Sequence, residues 1–128
     1  MKIEVIYNVI TTNKINESVQ FYKNYFGFEV ISDLGWYKHL RDEKSGFEIA
    51  FMEPNNRTQP PMFQPEFSGK GLIISIQVDS IDDIYNQIKK SDIKIGFDLH
   101  EEEWGQIHFG IYDPNMIPID VVKYTKDT

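Results

Sequence analysis

The sequence predicts an α+β domain made of two βαβββ units, and three observations carry that expectation. Short runs alternate apolar and polar residues as strands do, the spacing twice changes to that of a helix, and the order of elements then repeats. The first unit covers about residues 1–53 and the second about 71–126, joined by a linker at about 54–70 in a single domain of 128 residues. Two such units can curve mixed sheets around a cavity. The side chains facing that cavity would then determine function.

From Ile3 to Thr12 the period is two, with Ile3, Val5, Tyr7 and Val9 on one face. Ile15, Val19, Tyr22 and Phe26 follow at helical spacing, predicting a helix over Asn16–Phe26, and Gly27 stands where a helix end needs a left-handed residue. Phe28 to Ser32, Trp36 to Arg41 and Phe47 to Met52 read as strands, separated by turns rich in Asp and Gly. The second pass opens with an alternating strand from Leu72 to Asp79. Ser80 and Asp83 have the spacing of a capping box, and Ile81, Ile84, Tyr85 and Ile88 form the buried stripe of a helix over Ser80–Lys90. Strands near Lys94 to Leu99, Gln106 to Tyr112 and Ile117 to Tyr124 complete it. Trp36 and Trp104 open equivalent strands in this reading. The stretch from Pro54 to Lys70 holds four prolines with Met62, Phe63 and Phe67, and reads either as a linker or as a flap over a cavity mouth.

Composition narrows the function. A net charge of −7 argues against nucleic acid, which needs a basic surface to displace counterions. No apolar run approaches the roughly 20 residues that cross a bilayer. The alternating start Met1-Lys2-Ile3-Glu4-Val5 is unlike a signal peptide, so a cytoplasmic protein is the simplest expectation. With no cysteine there is no disulfide framework, thiolate metal site or Cys nucleophile. Neither a Ser-His-Asp pattern nor a phosphate-binding glycine loop is present.

Three histidines remain as titratable candidates. His39 and His108 fall on equivalent strands, and His100 precedes Glu101-Glu102-Glu103. Alternation that buries Phe109, Ile111, Ile119 and Val121 turns His108 and Asp120 to the other face, where they can meet. That pair is either a catalytic base with its carboxylate or a satisfied structural histidine. Trp36, Tyr37 and Trp104 offer flat apolar area with polar tips, for ligand stacking or for packing. The three glutamates read as a solvated loop or as an attractor of cations.

The segments Ser18-Val19-Gln20-Phe21-Tyr22 with Phe26-Gly27-Phe28, and Trp104-Gly105-Gln106 with Phe109 and Asp113-Pro114-Asn115, resemble the vicinal oxygen chelate superfamily of glyoxalases, bleomycin-resistance proteins and extradiol dioxygenases. Met116 stands where that group commonly has glycine. Metal-using members carry a ligand on the first and the last strand of each half. The matching positions here are Tyr7, the neighbourhood of Ala50 with Glu48 on the same face, Ile73, and Asp120. Of these Asp120 alone is a good donor in place, so no metal and no cofactor is expected, and the resemblance is to the metal-free, bleomycin-resistance-like branch. It implies a homodimer that sequesters a planar or cationic organic ligand or antibiotic. The alternative is an enzyme, either a metal-dependent lyase or isomerase or a metal-free acid–base catalyst, using Glu48, His108 and Asp120. A ligand space lined by Tyr7, Trp36, Ile73, Trp104, His108 and Asp120 is expected.

Overall fold

Each unit of the computed structural model, which describes residues 1–125, repeats one order of elements. The first has β1 (Asn8–Thr11), α1 (Ile15–Phe26), β2 (Glu29–Asp33), β3 (Tyr37–Arg41) and β4 (Glu48–Met52). The second has β5 (Ile74–Gln77), α2 (Ile81–Lys89), β6 (Ile95–Glu102), β7 (Gln106–Tyr112) and β8 (Pro118–Tyr124). The compact units divide at Met1–Ser68 and Gly69–Thr128. Residue 126, where the second unit was expected to end, lies outside the described residues. Strand order is β1-β4-β3-β2 in one sheet and β5-β8-β7-β6 in the other. In both, the first strand runs parallel to the last while the other neighbours are antiparallel. The α+β architecture of two βαβββ units with mixed sheets is therefore present.

In the first unit Ile10, Leu40, Ile49, Phe51 and the α1 residues Val19, Phe21 and Tyr22 are buried. The Tyr22 and Phe51 rings pack 5.5 Å apart. Gly27 ends α1 at φ 73°, and the Gly27 and Phe28 N–H groups bond to the Lys23 and Tyr22 carbonyls. That is the left-handed cap expected of glycine there. The second unit buries Ile81 and Ile88 of α2 with Phe109, Ile111, Ile117, Ile119 and Val121.

Four expectations are corrected. The first strand is shorter than Ile3–Thr12, because β4 begins at Glu48 and residues before Tyr7 have no strand to pair with. Ile3, Val5 and Ile6 are accordingly exposed. Strand β6 runs on through His100, Glu101 and Glu102, so the first two glutamates pair with β7 and are not a loop. Ser80 flanks α2 but makes no side-chain capping bond. Finally, Trp36 and Trp104 are not equivalent: with His39 aligned to His108, Trp36 is level with Gly105. Met116, where the resembling group commonly has glycine, stands in a left-handed turn. It adopts φ 63°, while Asp113 accepts the N–H groups of Asn115 and Ile117 at 2.8 and 2.9 Å. Among the described residues no helix is long and apolar enough to cross a membrane.

Candidate functional site

The chemistry of both units concentrates on one hairpin each. In the first, His39 of β3 pairs with Ala50 of β4, and Glu48 lies two residues before Ala50 on the same face. The diagonal brings His39 Nε2 within 2.5 Å of Glu48 Oε1. In the second, His108 of β7 pairs with Val122 of β8, and Asp120 lies two residues before Val122. The same diagonal puts His108 Nδ1 2.7 Å from Asp120 Oδ1. The pairing of His108 with Asp120 is thus realised, and it has a counterpart in the other unit.

The surroundings of the two pairs differ. An ionised carboxylate only accepts hydrogen bonds, so the imidazole nitrogen facing it carries the proton. For neutral His39 this leaves Nδ1 as an acceptor, and the Tyr37 hydroxyl lies 2.8 Å from it. The Tyr7 ring stacks edge-on to His39 at 4.4 Å. Burial, then Tyr7 and then the Glu48 charge push the Tyr37 phenol up to about 12, so it keeps its proton and can donate. Tyr37, His39 and Glu48 form a continuous hydrogen-bonded chain, with the Tyr7 ring packed beside the imidazole. In the second unit the position of Tyr37 is taken by Gln106, which accepts a bond from Trp104 Nε1 at 2.6 Å. His108 Nε2 is buried with no hydrogen-bond partner among the described residues. Its neighbour Glu102 stands 3.9 Å away and holds His100 at 2.6 Å.

A cavity of about 650 Å³ opens on the first unit. Its walls are Tyr7, Val9 and Thr11 of the first-strand region, Leu34, Trp36, Tyr37 and Met52 from β2 to β4, and Gln59, Met62, Phe63 and Pro65 of the connecting segment. Among the described residues, none that lines it is charged. The connecting segment is therefore a wall of this cavity, tied down where the Phe67 N–H bonds to the Thr11 carbonyl at 2.8 Å.

Of the six expected ligand residues, Tyr7 and Trp36 line this cavity. Ile73, Trp104, His108 and Asp120 belong to the second unit, where His108 and Asp120 meet. There Trp104 and Ile73 are about two-thirds exposed, at 64% and 62%. The residues that reading the sequence missed are Tyr37 and His39 as partners, and Glu48 as their anchor. The signal was available, because the alternation that paired His108 with Asp120 applies equally to β3 and β4. It was hidden by separations of nine residues in one hairpin and twelve in the other.

A search of the curated proteins finds no significant relative. The family model described as Glyoxalase/Bleomycin resistance protein/Dioxygenase superfamily matches residues 5–121. The chain belongs to this superfamily. Solved structures agree on its fold. A glyoxalase/bleomycin resistance protein/dioxygenase from Nocardioides superposes with a TM-score of 0.77 at 15% identity, covering 100% of this chain and 87% of that one. TioX from Micromonospora sp. ML1 gives 0.74 at 11% identity, covering 94% and 98%. Lactoylglutathione lyase from Agrobacterium tumefaciens gives 0.73 at 16% identity, covering 95% of each.

Glyoxalase-superfamily metal centres call for several carboxylate or imidazole donors, and this donor set does not supply them. Asp120 is level with Ser75 on β5, and Ile73 precedes that strand. Glu48 and Asp120 are each already bonded to an imidazole of their own unit. Among the described residues no group of three or more His, Cys, Asp or Glu is placed to hold a metal ion. The residues present do not fit a divalent centre.

Proposed function

We propose that the protein binds a planar organic molecule, without a metal, in the aromatic cavity of its first unit. The cavity itself carries this reading. Its volume of about 650 Å³ falls within the roughly 300–1,000 Å³ of small-molecule sites. Trp36, Tyr7, Tyr37 and Phe63 present ring surface, Met52 and Met62 adaptable thioethers, and Thr11 and Gln59 polar contacts. A sequestering protein needs this and no reacting group. In that role it would resemble the bleomycin-resistance members of its superfamily, with an antibiotic as one class of cargo. The test is a calorimetric screen of planar aromatic compounds against wild type and Trp36→Ala. Ligands that bind the variant as tightly as wild type would refute it.

A second reading, metal-free acid–base catalysis, is favoured by one observation. His108 is held by Asp120 through Nδ1 and leaves Nε2 without a partner, the arrangement of an oriented general base. Turnover of a bound compound that is lost in both His108→Gln and Asp120→Asn would establish it. Binding without turnover would leave sequestration as the function.

A further inference from the structure

The connecting segment is built inside out. Asn56, Gln59 and Gln64 are half-buried, whereas Met62 and Phe63 are 78% and 49% exposed and line the cavity. A surface loop ordinarily shows its polar groups to water and hides its apolar ones. An exposed ring and thioether on a concave wall are what a bound molecule would cover.

Hydrogen bonds close the segment on itself. The Asn55 N–H bonds to the Gln64 carbonyl at 2.9 Å, so Asn55–Gln64 is a loop with its ends joined, the form of an Ω-loop packed by its own side chains. Inside it the Gln64 amide donates through Nε2 to the Gln59 carbonyl at 2.8 Å and the Asn56 carbonyl at 3.3 Å. Both partners are carbonyl oxygens, so only the N–H donors of the amide can meet them, and its orientation is set. The Asn56 side chain accepts the Thr58 N–H at 2.9 Å and donates to Glu53 at 3.0 Å. Proline fixes φ on entry to the short helical turn Pro61–Phe63, whose Phe63 N–H returns to the Pro60 carbonyl at 2.9 Å. Gln64 thus ties the turn before the prolines to the residue after Phe63.

We propose that Gln64 is a positioning residue for ligand binding, holding Met62 and Phe63 as a preformed apolar wall against which a planar aromatic molecule packs. This rests on the reading that the cavity holds the ligand. The segment is then a fixed wall and not a flap. Its ordering is complete before the ligand arrives, which favours tight binding.

Gln64→Glu keeps the size of the side chain but has no proton to donate to either carbonyl. Gln64→Met, uncharged and of similar length, separates the lost donors from the added charge. Trypsin reads the loop, because Arg57 is exposed within it. Cleavage after Arg57, located by mass spectrometry, should be about fivefold faster in both variants, with circular dichroism showing them folded. Three planar probes, 2-naphthol, quinoline and indole, are titrated calorimetrically into the full chain, and the tightest is taken to the variants. Both Gln64 variants should weaken it about tenfold, and so should Met62→Ala combined with Phe63→Ala. Adding Gln64→Met to that pair should cost nothing further, because Gln64 acts through those two side chains. Trp36→Ala should weaken the probe and leave cleavage at the wild-type rate. Unchanged affinity or unchanged cleavage in the Gln64 variants, additive losses, or loss of the fold in both variants would overturn the positioning role while the cavity reading stands. If no probe binds wild type, the cavity reading fails and takes this inference with it.

Discussion

His39 and His108 stand on the same rung of the two repeats, but they face their carboxylates through different ring nitrogens. His39 uses Nε2 toward Glu48, and His108 uses Nδ1 toward Asp120. One ring is thereby closed on both sides and the other on one.

That difference has a consequence for stability. Removing Asp120 takes away the hydrogen-bond partner of an imidazole that is 17% exposed and whose other nitrogen has no partner among the described residues. Asp120→Ala should therefore cost about 1–3 kcal/mol, the penalty for a buried polar group left unsatisfied. Urea unfolding of wild type and variant measures it.

Trp36 and Trp104 should separate in a binding assay. Trp36→Ala removes an aromatic wall of the cavity and should weaken a stacked ligand by roughly 1–3 kcal/mol. Trp104 is outside that lining, so Trp104→Ala should leave the same titration unchanged.

The Tyr37 phenol, raised from 10.0 to about 12, makes stability fall at high pH in a defined window. A phenol that holds its proton more tightly when folded contributes fully below its unfolded value and loses that contribution as pH rises through the folded one. The loss should span pH 10 to about 12. Spectrophotometric titration at high pH should show a late tyrosine component that Tyr37→Phe removes, and the same variant should flatten the stability profile in that window.

Met116 holds a left-handed backbone at φ 63° with its side chain 67% exposed. An L-residue there is strained by roughly 1–2 kcal/mol, and little packing is lost on truncation. Met116→Gly should stabilise the protein by about 1 kcal/mol after the entropy of glycine is deducted. A melting temperature that falls would contradict this account.

Exposed Ile3, Val5, Ile6 and Phe47 on the first unit, with Phe97 and Tyr112 on the second, are the apolar residues that a homodimer would cover. Sedimentation at micromolar concentration should give the mass of two chains. A monomer at every concentration would reject the dimer.

Periodicity made the architecture legible. Alternation located the strands to within a few residues, and the spacing of Val19, Tyr22 and Phe26 gave α1 almost to its ends. What it could not supply was the partner of a strand. The residues before Tyr7 alternate as well as those after it, but β4 is too short to receive them. The candidate site was half legible for a related reason. Face alternation predicted His108 beside Asp120, which concerns one hairpin and adjacent strands. The cavity depends on Gln59, Met62, Phe63 and Pro65, whose placement follows from the path of an irregular segment with no period to read.

Tyr37, His39 and Glu48 all lie in a stretch of twelve residues, the β3–β4 hairpin from Tyr37 to Glu48. A network confined to one hairpin can be inherited, lost or exchanged as a single short cassette, with the rest of the scaffold unchanged. Replacing that stretch in a protein of the same architecture would carry all three groups of the chain together.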